Sequence, residues 1–171
     1  MSAGPAPVSV RTELALRVVC PVRAPGLSAI LKVLRKSAGP VRGHLVDRLH
    51  DPPQLFILCE RPEEGARALE RDGKQVETET VITVRTPNRP GTFSHLVETL
   101  EAGEIEVLYS YSTAMEDELL IVLRTSDNPK AEDALRSFLV LPDPSIPRGP
   151  AGTSDRPPGG KSRRQSRKGS S

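Results

Sequence analysis

The stretch Val81-Ile-Thr-Val-Arg-Thr-Pro-Asn-Arg-Pro-Gly-Thr-Phe-Ser-His-Leu-Val-Glu-Thr-Leu-Glu-Ala-Gly103 changes its hydrophobic period halfway along. Apart from Arg85, its first six residues are β-branched, which suits a pleated, half-buried surface. Pro87-Asn-Arg-Pro-Gly91 then breaks the run with two fixed φ angles and a residue free to take positive φ. Phe93, Leu96, Val97 and Leu100 follow at spacings of three and four, so they share one helical face. Ala102-Gly103 closes that helix. The reading is strand, tight loop, helix.

Working downstream, Ile105, Val107, Tyr109 and Tyr111 alternate with Glu106, Leu108, Ser110 and Ser112, which predicts a strand. Met115-Glu-Asp117 turns the chain. Leu119 to Leu123 is a buried-strand run, and Asn128-Pro129 opens a helix carrying Ala131, Ala134, Leu135 and Phe138. Upstream the same grammar appears. Leu14, Leu16, Val18 and Cys20 alternate with Ala15, Arg17 and Val19 until Pro21-Val-Arg-Ala-Pro-Gly26 intervenes. Leu27, Ile30, Leu31 and Leu34 have helical spacing, with Lys32, Arg35 and Lys36 between them, and Gly39-Pro40 stops them. Val41 to His50 reads as a strand, Asp51-Pro-Pro53 as a turn and Leu55 to Cys59 as a buried strand. Pro62 suits a first helical turn, with Glu63 and Glu64 favouring its positive end. That helix carries Ala66 and Leu69 and stops near Asp72-Gly73, before the β-rich run Val76 to Arg85.

The body is therefore a duplication, with Pro25-Gly26 and Pro90-Gly91 lying 65 residues apart, each between a strand and a helix. Each copy reads β-α-β-β-α-β. The handedness of crossovers turns that order into a ferredoxin-like antiparallel sheet with both helices on one face. A unit near 60 residues is marginal alone, so two copies joined without a flexible linker are expected to pack together. Lys74 to Thr86 is expected to end copy one and begin copy two. The expected divisions are a flexible lead-in at 1–12, a first domain at 13–77, a second at 78–141 and a tail at 142–171. The fold class is α+β.

These residues resemble a known family. Pro87 to Gly103, followed by Ile105-Glu-Val-Leu-Tyr-Ser-Tyr111 and Leu119-Leu-Ile-Val-Leu-Arg124, is similar to an ACT domain, a small amino-acid-binding module of biosynthetic enzymes. Copy one is a weaker match: Arg23-Ala-Pro-Gly26 keeps the Pro-Gly, but Ser28 stands where the pattern has leucine. The whole body, roughly 125 residues, resembles stand-alone tandem ACT proteins. The resemblance implies an amino acid bound where the loop meets a neighbouring sheet edge. It carries over Asn88, Arg89, Gly91, Thr92, Phe93 and Ser110 as ligand residues, with Gly26 and Leu27 in copy one.

The residues themselves support such a use. Gly91 lets backbone approach a ligand, and the amides of Thr92, Phe93 and Ser94 face outward at the positive end of a helix, where an α-carboxylate fits. Asn88 offers both a carbonyl and an amide. The alternative is that Pro-Gly only shapes a strand-to-helix turn. Tyr109 and Tyr111 are expected to point at the helices as core, with Ser110 the candidate contact.

Other chemistries find less support. His44 and His50 would share a strand face about 20 Å apart, and His95 is alone on a helix. Cys20 and Cys59 end neighbouring strands that should run antiparallel, so neither a zinc site nor a disulfide follows. No phosphate-binding loop or nucleophile motif is present, and no cofactor is expected, so the protein is read as a non-enzyme. Glu98, Glu101, Glu104 and Glu106 read as a solvated face.

Charge is unevenly spread. The chain has 171 residues and a formal net charge of +2. Pro142 to Ser171 holds seven Lys/Arg and two Asp, so the body is mildly acidic. The tail is rich in Pro, Gly and Ser with Ile146 its only large aliphatic, which reads as disorder. Lys161-Ser-Arg-Arg-Gln-Ser-Arg-Lys168 lacks aromatics for base stacking, so nucleic acid is disfavoured as a partner. No apolar run approaches the ~20 residues of a spanning helix, and no secretory signal is visible. A cytoplasmic location with no membrane partner is expected. The expected function is a sensor that binds a small amino acid and modulates a partner, either a homo-oligomer or a regulated enzyme. The alternative is a ligand-free interaction module.

Overall fold

The computed structural model describes residues 9–21, 26–115 and 117–138. Its elements, in chain order, are β1 (Ser9–Val19), α1 (Gly26–Ser37), β2 (Val41–Asp47), β3 (Gln54–Cys59), α2 (Pro62–Arg71), β4 (Val76–Pro87), α3 (Thr92–Ala102), β5 (Val107–Met115), β6 (Glu118–Thr125) and α4 (Asn128–Phe138). Local chemistry accounts for most of the boundaries. Pro62 opens α2, Glu63 and Glu64 occupy its first turn and Arg71 its last, each complementing the helix dipole. Arg35 and Lys36 do the same at the end of α1.

The six strands form one sheet in the order β2-β3-β1-β4-β6-β5. All five neighbouring pairs are antiparallel. β4 is indeed shared: it pairs with β1 from Val76↔Val18 to Arg85↔Ser9, and with β6 from Ile82↔Leu123 to Pro87↔Glu118. β1 starts at Ser9, so Ser9 to Thr12, assigned to a flexible lead-in from sequence, are strand instead. Their partners Ile82 to Arg85 offer a full ladder of backbone groups, which outweighs their mixed polarity. The last strand expected after α4, the rest of the lead-in and the tail lie outside the described residues. The place beside β4 that such a strand would take is held by β1. The two ferredoxin-like units therefore interleave through β1 and β4.

All four helices pack on one face. Leu16, Val18, Leu55 and Ile57 meet Ile30 and Leu34 of α1 and Leu69 of α2. Ile82, Val84, Ile121 and Leu123 meet Leu96 and Leu100 of α3 and Leu135 of α4. α2 and α4 lie over β1 and β4, leaving α1 and α3 outermost. Among the described residues, no helix is long and apolar enough to cross a membrane.

The opposite face carries a third cluster: Ala15, Leu58, Val81, Leu120 and Val122, with Tyr109 and Tyr111 packed against it. The tyrosines thus point away from the helices, contrary to the sequence expectation. The cause is a bulge at Leu108, which shifts register between Val107↔Thr125 and Tyr109↔Arg124. One extra residue reverses the parity of all that follow. Val107 keeps its place in the helix-side core, whereas Tyr109 and Tyr111 swing to the other side. β2 has the matching bulge at Arg42.

On this second face each outer strand reaches over its neighbour to a glutamate on a central strand. Arg42 of β2 reaches over β3 and pairs with Glu13 of β1, its Nη2 donating to Oε1 at 3.0 Å. The Tyr109 hydroxyl of β5 reaches over β6 and donates to Glu79 Oε1 of β4 at 2.6 Å. The phenol is pushed well above its ordinary pKa by burial and by that carboxylate. The sheet curls until its two outer strands touch: a Cβ at Gly43 would stand 3.0 Å from Cε2 of Tyr111.

The Arg42–Glu13 pair makes stability acid-sensitive. Burial raises the Glu13 carboxyl, but hydrogen bonds from Arg42 and Thr83 and the Arg42 charge outweigh it, so its pKa is lowered from 4.5. A lowered carboxylate adds stability above its unfolded pKa and loses it as pH falls through the folded value. Wild type should therefore lose stability below about pH 4.5. Glu13→Gln should be less stable at neutral pH and show a flatter acid limb, measured as urea midpoint against pH. Parallel acid limbs would show that the pair contributes nothing.

Candidate functional site

β4 runs to Pro87, and the loop turns at once. The Asn88 amide donates to the Asp117 carbonyl at 2.8 Å, tying the loop to the β5–β6 turn. Gly91 caps α3 at φ 86° and ψ −11°, a left-handed conformation that costs a residue with a Cβ roughly 1–2 kcal/mol. The first full helical bond runs from the His95 amide to the Gly91 carbonyl, 3.0 Å. The Thr92 amide, expected from sequence as a free donor, bonds to the Arg89 carbonyl at 3.2 Å, so the Phe93 and Ser94 amides remain as the free donors of the helix start.

Asn88, Arg89 and Gly91 are exposed, Phe93 is 43% exposed and Thr92 is buried. A Cβ placed on Gly91 would meet nothing within 4 Å. The loop therefore borders open space, with backbone donors and a positive helix end beside it.

The glycine of the copy-one Pro-Gly pair, Gly26, is the first residue of α1, where α3 has the buried Thr92, and it is shut in. A Cβ on Gly26 would lie 2.7 Å from the Pro21 carbonyl oxygen, and Leu27 packs on the first core. Gly26 and the Asn88 loop also follow strand ends at opposite ends of the sheet. β1 finishes with the Val19 amide bonded to Gln75 at the start of β4, whereas the Asn88 loop follows the end of β4, where Pro87 pairs with Glu118. The structure thus brings Asn88, Arg89, Gly91, Thr92 and Phe93 together and leaves Gly26 and Leu27 apart.

Ser110 is also away from the loop. It pairs with Leu123, which pairs with Ile82, whereas Ala114 is level with Thr86 through Leu119. Asp117 touches the loop and was not a sequence candidate. Its position follows from the antiparallel β4–β6 and β5–β6 registers, which bring the hairpin turn to the end of β4.

The remaining candidates separate. β2 ends at Asp47, so His50 lies beyond the strand expected to hold it with His44, in a turn where it pairs with Asp47. That turn begins at the carboxylate, because Asp47 Oδ1 accepts the Leu49 and His50 amides. Cys20 and Cys59 are buried and unbridged; burial raises both thiols above their ordinary pKa. Among the described residues, no three His, Cys, Asp or Glu side chains gather to hold a metal.

No protein-family model matches the chain, and no curated protein matches it in sequence. Solved structures do match. Protein BT0572 from Bacteroides thetaiotaomicron superposes with a TM-score of 0.70 at 20% identity, over 75% of this chain and 90% of that one. The regulatory subunit of aspartate kinase from Thermus thermophilus, in ligand-free form, gives 0.59 at 14% identity, over 78% and 96%. The aspartokinase alpha and beta subunits give 0.58 at 13% identity, over 81% and 100%. At such identities the likeness is one of fold, and the chain has the α+β ACT-type fold of aspartokinase regulatory subunits.

Proposed function

We propose that this protein is a non-catalytic amino-acid sensor with one working ligand loop per chain, residues 88–94, whose occupancy alters a partner. The observation that carries this reading is the contrast between the glycines of the two Pro-Gly pairs. Gly91 holds a left-handed turn beside open space, while Gly26 is closed by the Pro21 carbonyl. A ligand carboxylate would accept from the Phe93 and Ser94 amides at the positive end of α3. The Asn88 side chain would hold the ammonium. The structural neighbours that are aspartate kinase regulatory subunits support the regulatory part of the reading.

Calorimetry with individual amino acids tests it. Gly91→Val should fold yet lose binding, because its branched side chain fills the approach to the amides. Asn88→Ala should weaken binding by about 0.5–1.5 kcal/mol, roughly two- to tenfold. Equal affinity for wild type and folded Gly91→Val would move the ligand elsewhere. Absence of binding to every amino acid would favour a ligand-free interaction module.

A further inference from the structure

β4 outruns the strand beside it. It pairs with β1 from Val76↔Val18 to Arg85↔Ser9 without a register shift, but with β6 only from Ile82↔Leu123 onward. Among the described residues, no strand pairs with Val76 to Val81 on the β6 side. Bonds at both ends of β4 show where its free backbone groups point. The Gln75 carbonyl accepts the Val19 amide of β1, whereas the Asn88 amide donates to the Asp117 carbonyl on the β6 side. Successive residues of a strand alternate between its two edges, so the even-numbered ones face away from β1. Thr80 agrees: its carbonyl accepts Asn128 Nδ2 on the β6 side at 2.7 Å. The N–H and C=O of Val76 and Thr78 and the N–H of Thr80 therefore line one open edge.

Space lies beside this edge. Glu63, Arg67 and Glu70 of α2 line one groove with Val76, Glu77 and Thr78, and Thr78 and Thr80 are exposed. The duplication explains the opening. Gly65 and Leu69 of α2 are buried as Ala131 and Leu135 of α4 are, so Ala66 stands where α4 has Glu132. In β1 the residue matching Thr78 is Thr12, and its hydroxyl donates to Glu132, closing that groove. Ala66 is too short to do the same. The outermost edges are blunted in another way: β2 and β5 each carry a bulge, and the two strands touch at Gly43 and Tyr111. Bulges deter pairing; β4 has none.

We propose that this edge takes an extended, cationic segment of a partner protein as a short antiparallel strand in line with β6. A row of backbone donors and acceptors is matched by another extended backbone, and every pair in this sheet is antiparallel. The segment's residues opposite Val76 and Thr78 would lie beside Ala66, where small apolar side chains fit. Those between them would lie opposite Glu77 and Glu79, where Lys or Arg fits. Glu63 and Glu70 against Arg67 on the groove add to the negative balance. A second copy suits the edge poorly. Two β4 edges meeting about a two-fold axis through Thr78 would set Glu77 opposite Glu79 of the other copy, and like charges directly opposite are destabilising. The inference rests on strand register and is independent of the ligand loop.

The test uses the full chain and a short acetylated and amidated peptide of alternating Lys and Val, read by amide hydrogen exchange. At ten times its dissociation constant the peptide should slow exchange of the Val76, Thr78 and Thr80 amides about tenfold. N-methylation of its Val amides should abolish binding, because those donors face β4. N-methylation of its Lys amides, which face away, should leave binding intact. A peptide of alternating Glu and Val should bind about tenfold more weakly or worse. Thr78→Pro removes the central donor but spares the β1 ladder, since a proline is tolerated where the N–H faces solvent; it should abolish the protection. The two methylated peptides keep the test decisive if that variant misfolds. No binding by the Lys–Val peptide, equal binding of the two methylated forms, equal binding of the Glu–Val peptide, or protection at β2 or β5 instead of β4 would overturn the proposal.

Discussion

Asn128→Ala should lower stability by about 3 kcal/mol, and the melting temperature by roughly 10 °C. Asn128 begins α4 and is buried at 5% exposure. Its Oδ1 accepts from the Thr125 amide at 3.1 Å and the Thr125 hydroxyl at 2.8 Å, while its Nδ2 donates to the Thr80 carbonyl at 2.7 Å. One side chain thus binds the start of α4 to β6 and β4. Truncation leaves these partners without Asn128's side chain, and each buried group left unpaired costs about 1–3 kcal/mol.

Two comparisons make the test specific. Asp127→Ala removes the exposed cap that accepts the Lys130 amide at 3.0 Å and should cost only about 1 kcal/mol. Asn128→Asp keeps the acceptor but aims a second oxygen at the Thr80 carbonyl. It should be at least as harmful at neutral pH and recover partly in acid, where a protonated carboxyl can donate. Thermal melts showing Asn128→Ala no worse than Asp127→Ala would refute the three-bond account.

Gly26→Val is the second large effect, with an expected loss of about 3 kcal/mol or more. The neighbour is backbone: the Pro21 carbonyl oxygen lies 2.7 Å from where the Cβ would be. A side chain could rotate away, but a backbone carbonyl moves only with its chain, and Pro21 directly follows Cys20, whose amide is bonded to the Pro53 carbonyl at 2.8 Å. The clash begins with the first carbon, so Gly26→Ala should already incur much of the loss. Gly91→Ala meets no atom and pays only the positive φ, about 1–2 kcal/mol. Urea midpoints for the two alanine variants should therefore differ clearly, with Gly26 the worse. Similar midpoints would mean that the two glycines are sterically alike and would remove the main support for a single ligand loop.

Local signals were enough for much of this. Pro62 with Glu63 and Glu64, Pro-Gly at 25–26 and 90–91, and the helical spacing of Phe93 to Leu100 each act within one or two turns. All ten elements were legible, and the repeat order led to a duplicated ferredoxin-like plan. The sharing of β4 also followed, because Lys74 to Thr86 left no linker between copies.

What failed to read from sequence depended on contacts distant in the chain. The bulge at Leu108 carries no turn residue, yet it moved Tyr109 and Tyr111 to the far face; only pairing against Arg124 and Thr125 reveals the extra residue. Ser9 to Thr12 became strand because Ile82 to Arg85 lay alongside. Ser110 fell away from the loop because register, unlike periodicity, is set between strands. The two Pro-Gly pairs look alike in sequence, but a Cβ on Gly26 would meet the Pro21 carbonyl and one on Gly91 would meet nothing. Sequence by itself determined the elements, their order and the loop that starts α3, since propensity and period are local. Tertiary structure decided which face each side chain occupies and which loop has room for a ligand, since both depend on partners far along the chain.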